Sequence, residues 1–181
     1  LDFSFQDPQV LVITLPGDDH PSVFWYVLYR VENNSGRDIE FFPTAELVTD
    51  SLEVIKAGEQ ISPTVNDAIL ERHRRLDPFL ILPSRAMGTL LQGDDNAKSS
   101  MLVFKDFSPN DSEFTIYFGG LSGEIQRVPN PRYQQAEVDS EEQPRYFTLR
   151  KTLALKYRLP GDSQTRRQAH PQRLLQEWIM R

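Results

Sequence analysis

The sequence predicts an all-β fold, a β-sandwich with one α-helix inserted at about residues 63–75. Three observations carry that prediction. The stretch from Val23 to Asp50, VFWYVLYRVENNSGRDIEFFPTAELVTD, reads as two long strands joined by a polar turn. Roughly eight short segments with two-residue alternation recur at sandwich spacing, separated by Gly, Pro, Asn and Asp. The periodicity changes to a helical one once, after Ser62-Pro63. The 181 residues are enough to bury a core without staples, and we read residues 1–181 as one domain.

In chain order, Phe3 to Leu15 alternates as a strand, and Asp7-Pro8 interrupts it as in an edge strand that bends or changes sheet, because proline donates no ladder bond. Pro16 to Pro21 turns the chain into the organising strand. There Trp25, Val27, Tyr29 and Val31 share one face, and Phe24, Tyr26, Leu28 and Arg30 the other. Both faces are largely apolar, so the strand carries core on one side and water, a loop, a helix or another molecule on the other. Arg30 and Glu32 mark the Tyr26 face as the one reaching water. Asn33 to Gly36 reverse the chain. Ile39 to Thr49 is extended, with Pro43 at a bulge, and Leu52 to Ile55 is a short return strand.

Ser62 can cap exposed amides and Pro63 suits the first helical position. Val65, Ala68, Ile69 and Leu76 then share one side of a helix from Pro63 to Arg75. Pro78 to Met87 is an apolar connector and Thr89 to Leu91 a short strand. Met101 to Lys105 and Phe114 to Phe118 read as a strand pair around the turn Phe107 to Ser112. Leu121 to Gln143 is a long polar loop with acids at Glu137, Asp139, Glu141 and Glu142. Tyr146 to Leu159 has the clearest alternation, with Phe147, Leu149, Leu153, Leu155, Tyr157 and Leu159 inward, and Thr148, Arg150, Thr152, Lys156 and Arg158 outward. Lys151 is the exception on the inner face. The extension from about 160 to 181 ends in Leu174, Leu175, Trp178, Ile179 and Met180, which dock as a short helix or a last strand.

Strands of this number and spacing point to an immunoglobulin-like sandwich. The pattern Tyr26-x-Leu28-x-Arg30-Val31-x-Asn33-Asn34-Ser35-Gly36-x-Asp38-Ile39, with Pro43 and Leu47-x-Thr49-Asp50, resembles the strand-turn-strand of immunoglobulin-like domains in bacterial extracytoplasmic proteins. With Leu90 to Gly93, Phe118 to Glu124, Leu149 to Thr152 and Trp178 to Arg181 added, most of the chain resembles a family of uncharacterised bacterial proteins of that kind. The resemblance implies the fold and a location outside the cytoplasm (periplasmic, secreted or cell surface). It carries no catalytic residue.

Cysteine is absent, which excludes disulfides, thiolate metal sites and cysteine nucleophiles. No apolar run approaches the ~20 residues of a membrane span. Any export signal is expected to have been removed before Leu1. The net charge of −6 is uneven: nine Lys or Arg against two acids from Arg145 onward leave +7 there, and −13 on the preceding 144 residues. We read the two parts as faces of one domain that attract each other.

Candidate chemistry is sparse. Gly119-Gly120-Leu121-Ser122-Gly123 lacks the spacing of a nucleophile elbow or a phosphate loop, and reads as a turn with close backbone packing. His20, His73 and His170 have no second histidine at ligand spacing. Asp18-Asp19 and Asp94-Asp95 are the only calcium candidates, and plain turn chemistry outweighs that reading. Asn33 and Asn110 fit the N-glycosylation pattern within ordinary turns. Phe24, Tyr26 and Tyr117 form a glycan platform if they are exposed on one face. Arg150, Lys156 and Arg158 line one strand face, too few cations to track a polyanion, so no nucleic-acid partner is expected. No cofactor is implied. The leading reading is a non-catalytic interaction or accessory domain that binds another protein in the cell envelope. A glycan-binding module comes second. A hydrolase with a loop-built site comes third, to be revived by a concave pocket holding two carboxylates.

Overall fold

The protein is an antiparallel β-sandwich with one inserted helix, here as a computed structural model that describes residues 1–133 and 144–181. In chain order the elements are β1 (Asp2–Phe5), β2 (Gln9–Ile13), β3 (Ser22–Glu32), β4 (Ile39–Phe41), β5 (Thr44–Thr49), β6 (Val54–Lys56), α1 (Pro63–His73), the single-turn α2 (Pro83–Ala86), β7 (Gly88–Leu90), β8 (Lys98–Lys105), β9 (Glu113–Gly119), β10 (Ile125–Pro129), β11 (Tyr146–Arg158) and β12 (Gln172–Met180).

The first sheet is centred on β3, the eleven-residue strand rich in aromatic and β-branched residues. One half of it, Ser22 to Tyr26, pairs with β2, and the other half, Tyr29 to Glu32, pairs with β1. The chain therefore bends at Asp7-Pro8 but stays in one sheet. β8 pairs with β3 from Phe24↔Lys105 to Val31↔Lys98. In the second sheet β5 joins β6 to β9, and β9 joins β11. β11 is long enough to meet β10 over Tyr146 to Arg150, β9 over Leu153 to Arg158, and β12 over Lys151 to Arg158. β4 and β7 make a separate pair, so the chain switches sheets at Phe42-Pro43, where proline ends the ladder.

The core lies between the sheets on the face expected for β3. Trp25, Val27, Tyr29 and Val31 meet Leu47 of β5, Phe114, Ile116 and Phe118 of β9, and Leu153, Leu155 and Tyr157 of β11. Trp25 is 1% exposed; its ring stacks on Phe107 at 5.4 Å and its Nε1 donates to Asp106 at 3.0 Å. Tyr157 crosses to the first sheet's edge, where its hydroxyl donates to the Asp7 carboxylate at 2.9 Å.

The opposite face of β3 reaches water only at its Arg30 and Glu32 end, and from Phe24 to Leu28 it is buried. α1 covers that part, and Val65, Ile69 and Leu80 pack on Phe24, Tyr26, Leu28, Met101 and Val103 as a second core. The helix starts as expected, with the Ser62 hydroxyl accepting from the Thr64 amide and Pro63 at its first position. It ends at His73, two residues short of expectation, and Leu76 lies past it, 85% exposed. The ring of His73 is buried against Tyr26, with Nε2 2.9 Å from the phenol oxygen, while Gln9 accepts from that same hydroxyl at 2.9 Å. Desolvation, helped by the Arg72 cation and opposed by Asp77, holds the imidazole below its ordinary value of 6.5. A neutral buried histidine must take up a proton as the chain unfolds, so its contribution is full above about pH 6.5 and lost as pH falls through the lower folded value. Urea midpoints at pH 7.5 and 5.5 should therefore converge in His73→Gln relative to the unmodified protein; parallel losses would remove His73 from the pH response.

Three other expectations are corrected. Met101 to Lys105 and Phe114 to Phe118 lie in different sheets and do not pair, because the connection between them buries Phe107 and Asp111 as it crosses the sandwich. The expected loop 121–143 contains β10, a largely exposed strand without an apolar face; the acidic cluster at Glu137, Asp139, Glu141 and Glu142 lies outside the described residues. On β11 the inward set begins at Leu153, since Phe147 is 43% exposed beyond the edge of the core. Of the two forms expected for the C-terminal extension, the structure has the last strand, β12. Asn33 is wholly buried. Its amide donates to the Arg37 and Leu90 carbonyls at 2.8 Å each, and its oxygen accepts from Ser35, so the turn reading holds and the side chain is occupied.

Candidate functional site

A concavity of about 720 Å³ opens where the first sheet's β8 edge approaches β5, β6 and the start of α1. A volume of that order suits a small ligand or a short chain segment. Leu102, Met101 and Val103 floor it, Ala45, Ala57 and Ile61 form one wall, and Leu82 and Met87 another. Glu46, Lys56, Asn66 and Asp67 also line it. The floor is a gap in a sheet edge. The Gly58 amide donates to the Val103 carbonyl at 2.8 Å and the Ile81 amide to Ser99 at 2.9 Å, both on the side of β8 away from β3. Strand alternation turns the Met101 amide and carbonyl toward the same side. Among the described residues no strand pairs with that edge between those two contacts.

This pocket does hold two carboxylates. Glu46 is engaged by Arg181 at 2.7 Å, and Asp67 is an exposed residue of α1. Acid–base pairs of hydrolases work by placing the two carboxylates in contrasting environments, one of them apolar enough to keep its proton. An ion-paired glutamate and a solvated aspartate do not make such a pair. Among the described residues no group of three His, Asp or Glu is placed to hold a metal ion.

A second concavity of about 360 Å³ lies on the outer face of the second sheet, and it brings together two of the residues singled out in the sequence, Tyr117 and Arg150. Thr44, Glu46, Thr152 and Arg181 complete its polar lining. The backbone of Gly119 and Gly120 is part of the wall. A Cβ on Gly119 would come within 2.7 Å of the Thr44 hydroxyl, and one on Gly120, whose φ is +85°, within 2.6 Å of the Phe42 carbonyl. The glycines thus serve the close packing expected of that turn. Thr44, Ala45 and Glu46 line both concavities.

The other candidates separate. Lys156 and Arg158 do not extend a basic surface with Arg150, because both converge on Glu113, at 2.7 and 2.8 Å, and hold its carboxyl below the usual range. They belong to a wider pattern, in which Lys151 pairs with Glu124, Arg167 with Asp106, Arg173 with Asp7 and Arg181 with Glu46. The basic C-terminal region thus turns most of its charge onto the domain's own acids. Tyr26 is fully buried and Phe24 6% exposed beneath α1, while Tyr117 lies on the other sheet, so the three form no common aromatic platform. Asp18 and Asp19 sit in the β2–β3 turn. Asp94 and Asp95 sit near the other end of β3, where Arg30 takes the Asp94 carboxylate. The pocket on β8 was not legible beforehand, since its walls come from segments far apart in the chain and share no spacing. No protein-family model, curated protein or solved structure matches the chain.

Proposed function

We propose that this is a non-catalytic binding domain that holds an extended, apolar segment of a partner protein in the 720 Å³ pocket beside β8. The unpaired stretch of the sheet edge at Met101 carries the reading, and because Met101 is 0% exposed a bound segment reaches its main chain by displacing the side chains over it. That stretch sets a main-chain donor and acceptor beside apolar walls, the combination by which an added strand gains both affinity and side-chain selectivity. For location the reading rests on the sequence resemblance, which implies a bacterial extracytoplasmic protein and a partner in the cell envelope.

A neutral probe avoids the charges nearby. Nile red should brighten with the unmodified protein and not with Ala57→Trp, which fills the pocket. The peptide acetyl-Val-Ile-Val-amide should displace the dye, and its backbone N-methylated form, which cannot donate to a strand edge, should do so at least about tenfold less well. Equal displacement by the two peptides would turn the site into a plain apolar cavity for small molecules. Dye binding unaffected by Ala57→Trp would move it elsewhere.

A further inference from the structure

We infer that the concavity formed by Arg150, Arg181, Tyr117 and Thr44 on the outer face of the second sheet is a binding site for an oxyanion, carried by a carboxylate, sulfate or phosphate group. It does not depend on what occupies the pocket beside β8.

The observation that points to a ligand is a cross-strand pair of like charges. The Arg150 amide donates to the Arg181 carbonyl at 2.7 Å and the Arg181 amide to the Arg150 carbonyl at 3.0 Å. Residues opposed in this way have Cβ atoms about 5 Å apart on one face, and like charges there destabilise a sheet. Ile125 opposes Arg150 on β11's other neighbour, so Arg127, two residues along β10, adds a third cation to the same face. Elsewhere the domain neutralises most of its C-terminal cations with acids. Here only Arg181 has an acidic partner, Glu46 at 2.7 Å; Arg127 and Arg150 have no ion pair among the described residues.

The remaining groups suit an anion. Tyr117 lies 4.1 Å beneath the Arg181 guanidinium and fixes its plane. Thr44 brings a hydroxyl packed against Gly119, while that of Thr152 already donates to the Arg150 carbonyl at 3.1 Å. Two guanidinium forks converging on one space match the paired oxygens of a carboxylate, or two edges of a sulfate or phosphate. A small oxyanion would relieve the repulsion between the arginines and compete with Glu46 for Arg181.

That competition makes the test specific. Acetate, succinate, sulfate and inorganic phosphate are titrated separately at constant ionic strength made up with chloride, following the amide resonances of Gly119 and Gly120 by NMR. Saturation at about millimolar concentration is expected for at least one of them, and comparison of the four identifies the headgroup. Arg150→Gln, whose side chain makes no ion pair to lose, should weaken binding about tenfold or more. Glu46→Gln should tighten it, which a merely structural glutamate would not do. Lys156→Gln, remote and tied to Glu113, should leave it unchanged. Shifts identical for all four anions, or an equal loss in Lys156→Gln, would mean charge screening alone and overturn the site, as would a titration without saturation.

Discussion

Replacing Trp25 with alanine should destabilise the fold by roughly 3–5 kcal/mol, the range for deleting a large buried aromatic from a packed core. The indole is enclosed between the sheets by Phe107 and Phe114, and its Nε1 donates to Asp106. Truncation therefore leaves a cavity and strips a hydrogen bond from Asp106, which keeps Arg167 at 2.6 Å. Chemical denaturation of the variant reads the loss directly. An unchanged midpoint would place Trp25 outside the core and reverse the assignment of the two faces of β3.

Ile69→Ala should cost about 2–5 kcal/mol, although Ile69 touches none of the inter-sheet core. It is fully buried between α1 and the outer face of the first sheet, in the cluster with Tyr26, Leu28 and Met101. A loss below about 0.5 kcal/mol, the range of surface substitutions, would mean that the helix is a loose appendage. Separating this variant's denaturation curve from that of Trp25→Ala by tryptophan fluorescence and by circular dichroism tells whether the two cores melt together.

What the sequence made legible is local. Alternation in β3 and, from Leu153 on, in β11, and the Ser62-Pro63 start of α1 are short-range patterns, and each is where it was expected. The errors arose where a distant segment decides. Arg30 and Glu32 do reach water, but they suggested it for the whole face of β3, whose Phe24 to Leu28 part α1, some forty residues later, covers. β8 and β9 are neighbours in the chain with a turn between them, and nothing local distinguishes a hairpin from a crossing between sheets. β10 is polar because it is exposed, so it carries no burial period to detect. For the sites the gap is wider. Arg150 was visible as an outward cation, but its opposition to Arg181 is a matter of strand register. The β8 pocket depends on Gly58 and Ile81 each capping one end of an edge and leaving the middle without a strand partner.

The hydrogen bond from Tyr157 to Asp7 spans 150 positions of the chain. Closing so long a loop adds little to the free-energy cost, because the entropy grows only with the logarithm of length. Its cost falls on time. A nascent chain could assemble β3 with β2 and later β8 while β11 was still unmade, and would wait with the far side of its first sheet uncovered until β9 and β11 arrived. The order of synthesis thus sets how long Trp25 and Tyr29 stay exposed to other chains. Domains dominated by such distant pairings are the slow folders, for which that interval matters most.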